Sequence, residues 1–238
     1  MKKLIIIPAY NEEKTILRVI EDVQEHASDY DYIVINDGST DGTKKVCEQN
    51  KIHYLDLASN LGIGGAVQTG YRYAWLEGYD IAVQIDGDGQ HKAEHIKDLE
   101  QALNINDENP EKADMVIGSR FIDKKGFQST GLRRFGIRYM TWLIRLLTKQ
   151  TITDPSSGMR MVNRKIIKIF AKHYSWEFPE PETNAYVLKK GIKVKEIPVE
   201  MRERQGGTSS LAQPLKAVYY MIKISEGIIM ETMGGREE

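Results

Sequence analysis

Two aspartates separated by one glycine follow an apolar run near the middle of the chain. The run covers residues 81–85, and Asp86, Asp88 and Gln90 come directly after it. Carboxylate and amide oxygens are the hard ligands that Mg²⁺ or Mn²⁺ takes at sites shared with phosphate. Asp and Gly are also ordinary turn residues. The pattern therefore predicts either a cation site or an acidic turn. The strands and helices around it distinguish these two interpretations.

The first half of the chain alternates between short apolar runs and amphipathic stretches. The periodicity predicts strands at 3–7, 32–35, 52–57 and 81–85, and helices at 15–27, 41–50 and 64–77. Such alternation forms right-handed crossovers and a mostly parallel, Rossmann-like α/β sheet flanked by helices. Ligands of these sheets bind beyond the carboxyl ends of the strands. The residues that follow each strand are therefore the candidates for a site.

All four turns after these strands are polar and are predicted to share one rim of the sheet. Asp37 and Asp86 can accept hydrogen bonds from a base and from ribose hydroxyls, while Tyr10 can pack on the face of the base. The four turns are 8–13, 36–42, 58–62 and 86–88. The rim is therefore predicted to bind a nucleotide.

Other residues of these turns have local roles or exclude other functions. Asn11 and Asp41 are predicted to cap the first and second helices. Gly62, Gly64 and Gly65 lack the spacing of a dinucleotide fingerprint, and no Walker-type lysine loop occurs in the sequence. The pattern argues against both a cofactor-dependent dehydrogenase and a P-loop NTPase.

Composition is that of a folded protein with balanced charge. The 238 residues include 41% hydrophobic and 28% charged residues, with 33 Lys plus Arg against 34 Asp plus Glu. This balance argues against binding nucleic acid through bulk charge. The single cysteine, Cys47, fits a reducing cytosol. Because no apolar run approaches the roughly 20 residues needed to span a bilayer, any membrane contact is expected to be peripheral or through a partner.

A helix predicted at 132–149 combines basic and apolar residues. At about 100° per residue, Arg134, Arg138, Arg145 and Lys149 fall within roughly 60° of one another, beside a wide aromatic and aliphatic surface. This arrangement suits the interface of an anionic membrane. A core-packed helix with a solvated arginine face is the equal alternative.

The C-terminal part of the chain is predicted to be a separate amphipathic segment. A domain at 1–210 would be followed by a tail at 211–238, whose helix, 214–230, can lie on a bilayer, on a membrane partner or on its own domain. The Gly- and Ser-rich stretch 202–210 is predicted to be a mobile loop that closes over a ligand.

Four stretches, in this order, resemble the successive signatures of family 2 glycosyltransferases with the GT-A fold. They are 6–12, 36–43, 60–66 and 86–91. Further matches at 118–121, 154–160 and 202–209 are similar to the branch that includes dolichyl-phosphate mannose synthases and bacterial undecaprenyl-phosphate sugar transferases. The resemblance covers about residues 3–225.

The resemblance implies a role for each polar residue of the rim. Asp88 with Gln90 would ligate Mg²⁺ or Mn²⁺ on the diphosphate of a nucleotide sugar, with a uridine nucleotide favoured. Such a cation neutralises the charge that develops on the leaving diphosphate. The residues implied to hold the nucleotide are Pro8, Tyr10, Glu12, Asp37, Gly65, Asp86 and Gly87.

The chemical class of the acceptor determines which roles are predicted for Asp154 and for the arginines of the second half of the chain. A sugar hydroxyl would need a carboxylate to remove its proton, and Asp154 is the first candidate. A lipid monophosphate has a second pKa of about 6 and is largely ionised already, so Asp154 can instead orient an arginine. Planar guanidinium groups would then clamp the phosphate, and the candidates are Arg120, Arg160, Arg202 and Arg204.

A carboxylate near residue 180 is also implied by the resemblance, facing the acceptor or the donor sugar. Glu182 is the predicted match. The alternative is a first-turn glutamate that is favoured by the dipole of its helix.

The sequence thus predicts a metal-dependent, inverting glycosyltransferase at the cytoplasmic face of the cell membrane. It would move a hexose or N-acetylhexosamine from a nucleotide sugar to undecaprenyl or another polyprenyl phosphate, for modification of cell-envelope polysaccharide. Inversion is implied by the resemblance. The membrane surface and a small integral membrane protein are the implied partners. Two alternatives remain open: transfer to a saccharide hydroxyl, and a nucleotide-sugar-binding module without catalysis.

Overall fold

A seven-stranded sheet forms the centre of the protein. The computed structural model describes residues 1–105, 111–126, 131–203 and 214–233. The strand order is β3-β2-β1-β4-β6-β5-β7, and β6 runs antiparallel to both of its neighbours while all other pairs are parallel. Strands β1 to β7 are Lys3–Ala9, Asp31–Asn36, Tyr54–Asp56, Ile81–Gln84, Met115–Ser119, Arg160–Asn163 and Val194–Pro198.

Helices cover both faces of the sheet. A short 3₁₀ helix, Ala93–His95, precedes α4. The predicted helices are all present, with ends shifted by a few residues, whereas β6 was not predicted because only its two middle residues are apolar. Helices α1 to α8 are Ile16–His26, Thr43–Gln49, Gly62–Leu76, Ile96–Ala102, Gly131–Thr148, Arg164–Lys172, Pro179–Lys189 and Pro214–Met233.

Two hydrophobic cores lie on opposite faces of the sheet. Alternate residues of β1 serve the two cores: Leu4 and Ile6 pack with α3, α5 and α6, while Ile5 and Ile7 pack with α1, α2 and α4. Because β1 is buried on both faces, its sequence is a continuous apolar run. Polar groups near it are therefore confined to the ends of the strands.

The C-terminal helix packs on the same side as α5 and α7. Tyr139 Oη of α5 lies 2.9 Å from Ser225 Oγ of α8, and the Phe178 and Tyr220 rings lie 5.8 Å apart. Among the described residues, no helix is both long and apolar enough to cross a membrane. The predicted boundary at 210/211 and most of the predicted mobile loop lie outside the described residues.

Candidate active site

The carboxyl ends of β1, β2 and β4 meet at one edge of the sheet. Pro8 O accepts the Gly87 N–H at 3.2 Å, and Ala9 O accepts the Asp37 N–H at 2.9 Å. A Cβ at Gly87 would lie only 2.9 Å from Pro8 O, so this close approach requires glycine. The polar turns after the three strands are therefore neighbours, as the sequence predicts.

Asp86 is held by two hydrogen bonds, one with Gln84 before it in the sequence and one with His91 after it. Its Oδ1 accepts Gln84 Nε2–H at 3.2 Å, and its own N–H donates to His91 Nδ1 at 3.0 Å. Since Nδ1 accepts this bond, the neutral His91 ring carries its proton on Nε2. The Asp86 side chain remains 34% exposed, which leaves part of the carboxylate turned towards solvent at the edge.

Asp88 and Gln90 lie in the same turn and are tied to the segment that follows β7. Asp88 Oδ1 accepts the Gln90 N–H at 3.0 Å, and Gln90 O accepts the Arg202 N–H at 2.9 Å. Gln90 Nε2 donates to Arg202 O at 3.4 Å, so its amide oxygen is the atom suited to a cation.

The oxygen atoms of this turn fit a divalent cation that is shared with a substrate. Within the described part of the chain, no cluster of three or more His, Cys, Asp or Glu side chains is arranged to hold a metal by itself. Mg²⁺ commonly takes one or two carboxylates and completes its shell with substrate phosphates and water. Asp88 and Gln90 match that partial set of ligands.

Asp37 is buried and anchors the start of α3. It is 3% exposed, and its Oδ1 accepts the Leu61 N–H at 2.7 Å. Burial raises the pKa of Asp37, and the amides of Leu61 and Gly62 partly offset that rise. The anchoring places Asp37 and the first turn of α3 at the same edge as Asp86.

The remaining predicted nucleotide residues surround this anchor. Tyr10 is 47% exposed, which leaves its ring available for stacking. Glu12 Oε2 accepts the Thr15 hydroxyl at 2.7 Å. Gly65 lies in the first turn of α3, where a Cβ would approach Leu61 Cβ to 2.6 Å. Gly65 therefore serves close packing in this turn.

The predicted capping roles need one correction. Asn11 does not cap α1; its φ is +58°, and its Oδ1 accepts the Thr40 N–H at 2.8 Å in the loop after β2. The residue at the N-cap of α1 is Thr15. Asp41 Oδ1 does accept the Thr43 N–H at 2.9 Å where α2 begins. The left-handed turn at Asn11 redirects its side chain to the neighbouring loop.

Asp154 and Arg120 form a buried, two-pronged ion pair. The Asp154 oxygens lie 2.7 Å from Arg120 Nε and 2.7 Å from Nη2, and they also accept the Arg120 N–H and the Ser156 hydroxyl. Asp154 is fully buried and Arg120 is 4% exposed. A general base needs an oxygen that reaches the proton it removes. The geometry is that of a carboxylate that orients an arginine.

Arg202 and Arg160, which are also predicted to clamp the acceptor phosphate, contact residues other than Asp154. The Arg202 guanidinium lies 3.2 and 3.3 Å from the Asp22 oxygens of α1. Arg204 lies outside the described residues. Arg160 is fully buried; it donates from Nε to Ser157 O at 2.8 Å and from Nη1 to Thr183 Oγ1 at 2.6 Å.

Glu180 is a functional candidate that the sequence reasoning missed. Burial raises its pKa, the positive charge of Arg160 opposes the rise, and the negative charge of Asp86 adds to it. Glu180 lies at the start of α7, where these charges act on it, and it is a candidate for the carboxylate that the resemblance implies. Glu180 and Glu182 are two residues apart at the start of α7, so they face in different directions. Nothing local in the sequence favours Glu180 over Glu182.

The structure places Glu182 against α8 instead. It is 8% exposed, and a Cβ on Gly227 would collide with its carboxyl group. Burial raises the pKa of Glu182 to about 7; a Ser175 hydrogen bond lowers it, and the charges of Glu231 and Glu177 raise it. Glu182 lines a cavity of about 280 Å³ with Trp176, Glu177, Lys223, Glu226, Gly227, Met230 and Glu231.

Comparison with known proteins agrees with this geometry. The sequence model of Glycosyl transferase family 2 matches residues 4–170. The chain belongs to this family. This glycosyltransferase is 31% identical over 216 residues to UDP-N-acetylglucosamine--dolichyl-phosphate N-acetylglucosaminyltransferase of Methanococcus voltae, covering 82% of the chain and 84% of the relative. It is 27% identical over 224 residues to undecaprenyl-phosphate mannosyltransferase of Micrococcus luteus, covering 89% and 88%.

Solved structures confirm the predicted GT-A fold of this glycosyltransferase. Glucosyl-3-phosphoglycerate synthase from Mycobacterium tuberculosis, in complex with Mn²⁺, uridine diphosphate and glucosyl-3-phosphoglycerate, superimposes with a TM-score of 0.72. The match covers 100% of this chain and 81% of that chain at 18% sequence identity. At this identity the likeness establishes the fold alone.

Proposed function

We propose that this glycosyltransferase moves a sugar such as glucose or N-acetylglucosamine from a UDP-linked donor to a polyprenyl phosphate. The observation that carries the proposal is the oxygen-rich edge where Asp86, Asp88 and Gln90 lie beside Asp37. The names of the Methanococcus voltae and Micrococcus luteus relatives, which specify dolichyl and undecaprenyl phosphate, support the acceptor class.

The donor would lie across the turn after β4. The outward part of the Asp86 carboxylate would accept a hydrogen bond from the nucleoside, and Tyr10 would stack on the base. Asp88 and Gln90 would hold Mg²⁺ or Mn²⁺ against the diphosphate. When bound, the cation would neutralise the negative charge that develops on the leaving diphosphate.

The acceptor phosphate would need cationic groups and no general base, because it is already ionised near neutral pH. Arg120, held in one orientation by Asp154, is the proposed clamp. One phosphate oxygen would form a bond to the anomeric carbon of the sugar as the bond from that carbon to the diphosphate breaks, which inverts the configuration. We assign the carboxylate near the sugar to Glu180 in place of Glu182.

We also propose that the enzyme works at the inner face of the cell membrane. Helix α5 exposes Phe135, Trp142 and Leu146, at 64%, 56% and 49%. The exposed basic residues on the same side are Arg134, Arg138, Arg145 and Lys149. Aromatic and basic side chains on one exposed helix face favour an anionic lipid surface, which is where a polyprenyl phosphate is found.

A lipid-labelling assay tests the proposal. Radiolabelled UDP-glucose, UDP-N-acetylglucosamine and GDP-mannose would each be incubated with undecaprenyl phosphate and Mg²⁺ or Mn²⁺. Label is expected in the organic-solvent extract, and EDTA should abolish it. Asp88→Ala should reduce it by roughly 100-fold or more, as for loss of an electrostatic stabiliser, whereas Asp98→Ala, an exposed aspartate of α4, should not. The proposal fails if no donor labels lipid or if Asp88→Ala retains full turnover.

A further inference from the structure

Gln84 is the last residue of β4 and the one polar residue of the apolar run 81–85. It is fully buried, and its neighbours Val83 and Ile85 are both apolar. Its Nε2 donates to Asp86 Oδ1 at 3.2 Å, but its Oε1 has no hydrogen-bond partner among the described residues. A buried oxygen without a donor costs stability. Proteins tolerate such costs chiefly at functional sites.

Arg160 lies directly across from Gln84. The two residues are register partners in the antiparallel pair of β4 and β6. Arg160 is also fully buried, and its Nη2 has no hydrogen-bond partner in the described part of the chain. Two polar side chains, each with one unsatisfied atom, therefore lie side by side at the adjoining ends of β4 and β6, immediately before the Asp86 turn.

Gly158 lies beside the hydrogen bond that joins Gln84 to Asp86. A Cβ at Gly158 would lie 2.9 and 3.0 Å from the two Asp86 oxygens and 3.0 Å from Gln84 Nε2. The Asp86 carboxylate and the Gln84 amide therefore both pack against the backbone at Gly158. A methyl group at position 158 would have to displace one of them.

We propose that Gln84 is a positioning residue for nucleotide binding. Its amide holds Asp86 Oδ1 inward, so that Oδ2 is presented to an N–H or O–H donor of the nucleoside. A side chain that is already fixed loses little conformational freedom on binding, which favours affinity. The inference rests on the proposed function, in which Asp86 contacts the nucleoside, and it explains why β4 retains an imperfectly satisfied amide.

Gln84→Met tests this role, because Met has nearly the same size but neither the N–H donor nor the unsatisfied oxygen. The unfolding temperature of Gln84→Met is expected to equal or exceed that of the wild type. The Kd for uridine diphosphate with Mn²⁺, measured by titration calorimetry, is expected to weaken about tenfold for loss of one hydrogen bond to a charged group. The KM for the donor should rise while kcat changes less than about threefold.

Val83→Ala is the matched control on the adjacent residue, which packs in the opposite core. It should lower the unfolding temperature and leave the Kd unchanged, the reverse of Gln84→Met. Gly158→Ala is a second probe, since its methyl group would displace the Asp86 carboxylate or the Gln84 amide, and it should also weaken binding.

The binding results distinguish a failure of the Gln84 positioning role from a failure of the proposed function. If the wild type binds uridine diphosphate and a folded Gln84→Met binds it within about twofold of the wild type, the positioning role is overturned and the proposed function stands. If Gln84→Met does not fold, an unchanged Kd in Gly158→Ala overturns the role by itself. If the wild type binds neither uridine nor guanosine diphosphate with Mn²⁺, both proposals fail.

Discussion

At the scale of single residues, an aspartate holds each of two arginines in this enzyme, one pair buried and the other partly exposed. Asp154 uses its oxygens on Arg120 and Ser156, and Asp22 binds the Arg202 guanidinium. Removing one partner of a buried pair leaves an uncompensated charge, which costs far more than the pair itself contributes. The two pairs therefore restrict where the arginines can point.

Asp154→Asn is expected to lower the free energy of unfolding by about 3 kcal/mol, because Arg120 then loses its counter-charge in a buried site. The double variant Arg120→Met/Asp154→Leu should recover much of that loss. Urea unfolding measures both. Lys165→Met, at the more exposed Asp114 pair, is the control and should cost less than about 1 kcal/mol.

The same variant distinguishes the two roles that the sequence left open for Asp154. A small loss of stability accompanied by a loss of turnover of several orders of magnitude would identify Asp154 as a general base. That result would favour a hydroxyl acceptor over a lipid phosphate.

At the scale of elements, α5 has one side packed in the core and one exposed side that carries basic and aromatic residues. One side is packed in the core through Ile137, Leu143 and Ile144. The other side exposes Trp142 beside Arg138, so basic and aromatic side chains share the solvent face. Periodicity predicted the helix, whereas the neighbouring helices decided which apolar residues remained uncovered.

Arg138→Glu with Arg145→Glu should reduce binding to vesicles that contain anionic phosphatidylglycerol by at least about tenfold, because each basic residue near such a surface contributes about 1 kcal/mol. Co-sedimentation measures this binding. Lys45→Glu with Lys51→Glu makes the same change of charge near α2, which packs on the opposite face of the sheet. Equal effects from the two double variants would contradict docking through α5.

At the scale of the whole molecule, the cavity between α7 and α8 is expected to make the stability of the fold depend on pH. The pKa of Glu182 rises from an ordinary 4.5 to about 7 because of burial. The carboxylates Glu177 and Glu231, also at this cavity, add to the rise, while Lys223 is the basic group that lines it. The neutral form of Glu182 is thus the one that suits the packed α8.

Between pH 4.5 and about 7 the folded state binds more protons at Glu182 than the unfolded chain does. The stability contributed by this group is therefore present at the lower pH and falls as the pH rises through that window. Glu182→Gln should flatten this part of the profile. Unfolding temperatures at pH 5, 6, 7 and 8 measure it, with Glu226→Gln as the control. Identical profiles for wild type and Glu182→Gln would contradict the assignment.

Much of the fold follows from local sequence. The strands and helices of the first half are predictable because buried strands and amphipathic helices have different apolar periods. The polar rim is predictable as well, since parallel strands place their carboxyl ends at one edge. Strand β6 is not predictable in this way, because polar Arg160 and Asn163 occupy its ends and its pairing depends on distant strands.

The sequence by itself determined the α/β class and the shared edge, because these depend on spacing along the chain, and the resemblance to the family implied Asp88 and Gln90 as cation ligands. Only the tertiary structure decided that Arg120 pairs with Asp154 and that Glu182 packs against α8. It also decided that antiparallel β6 places Gly158 against Asp86. These outcomes depend on contacts between residues that are far apart in sequence, and no local pattern of residues encodes such contacts.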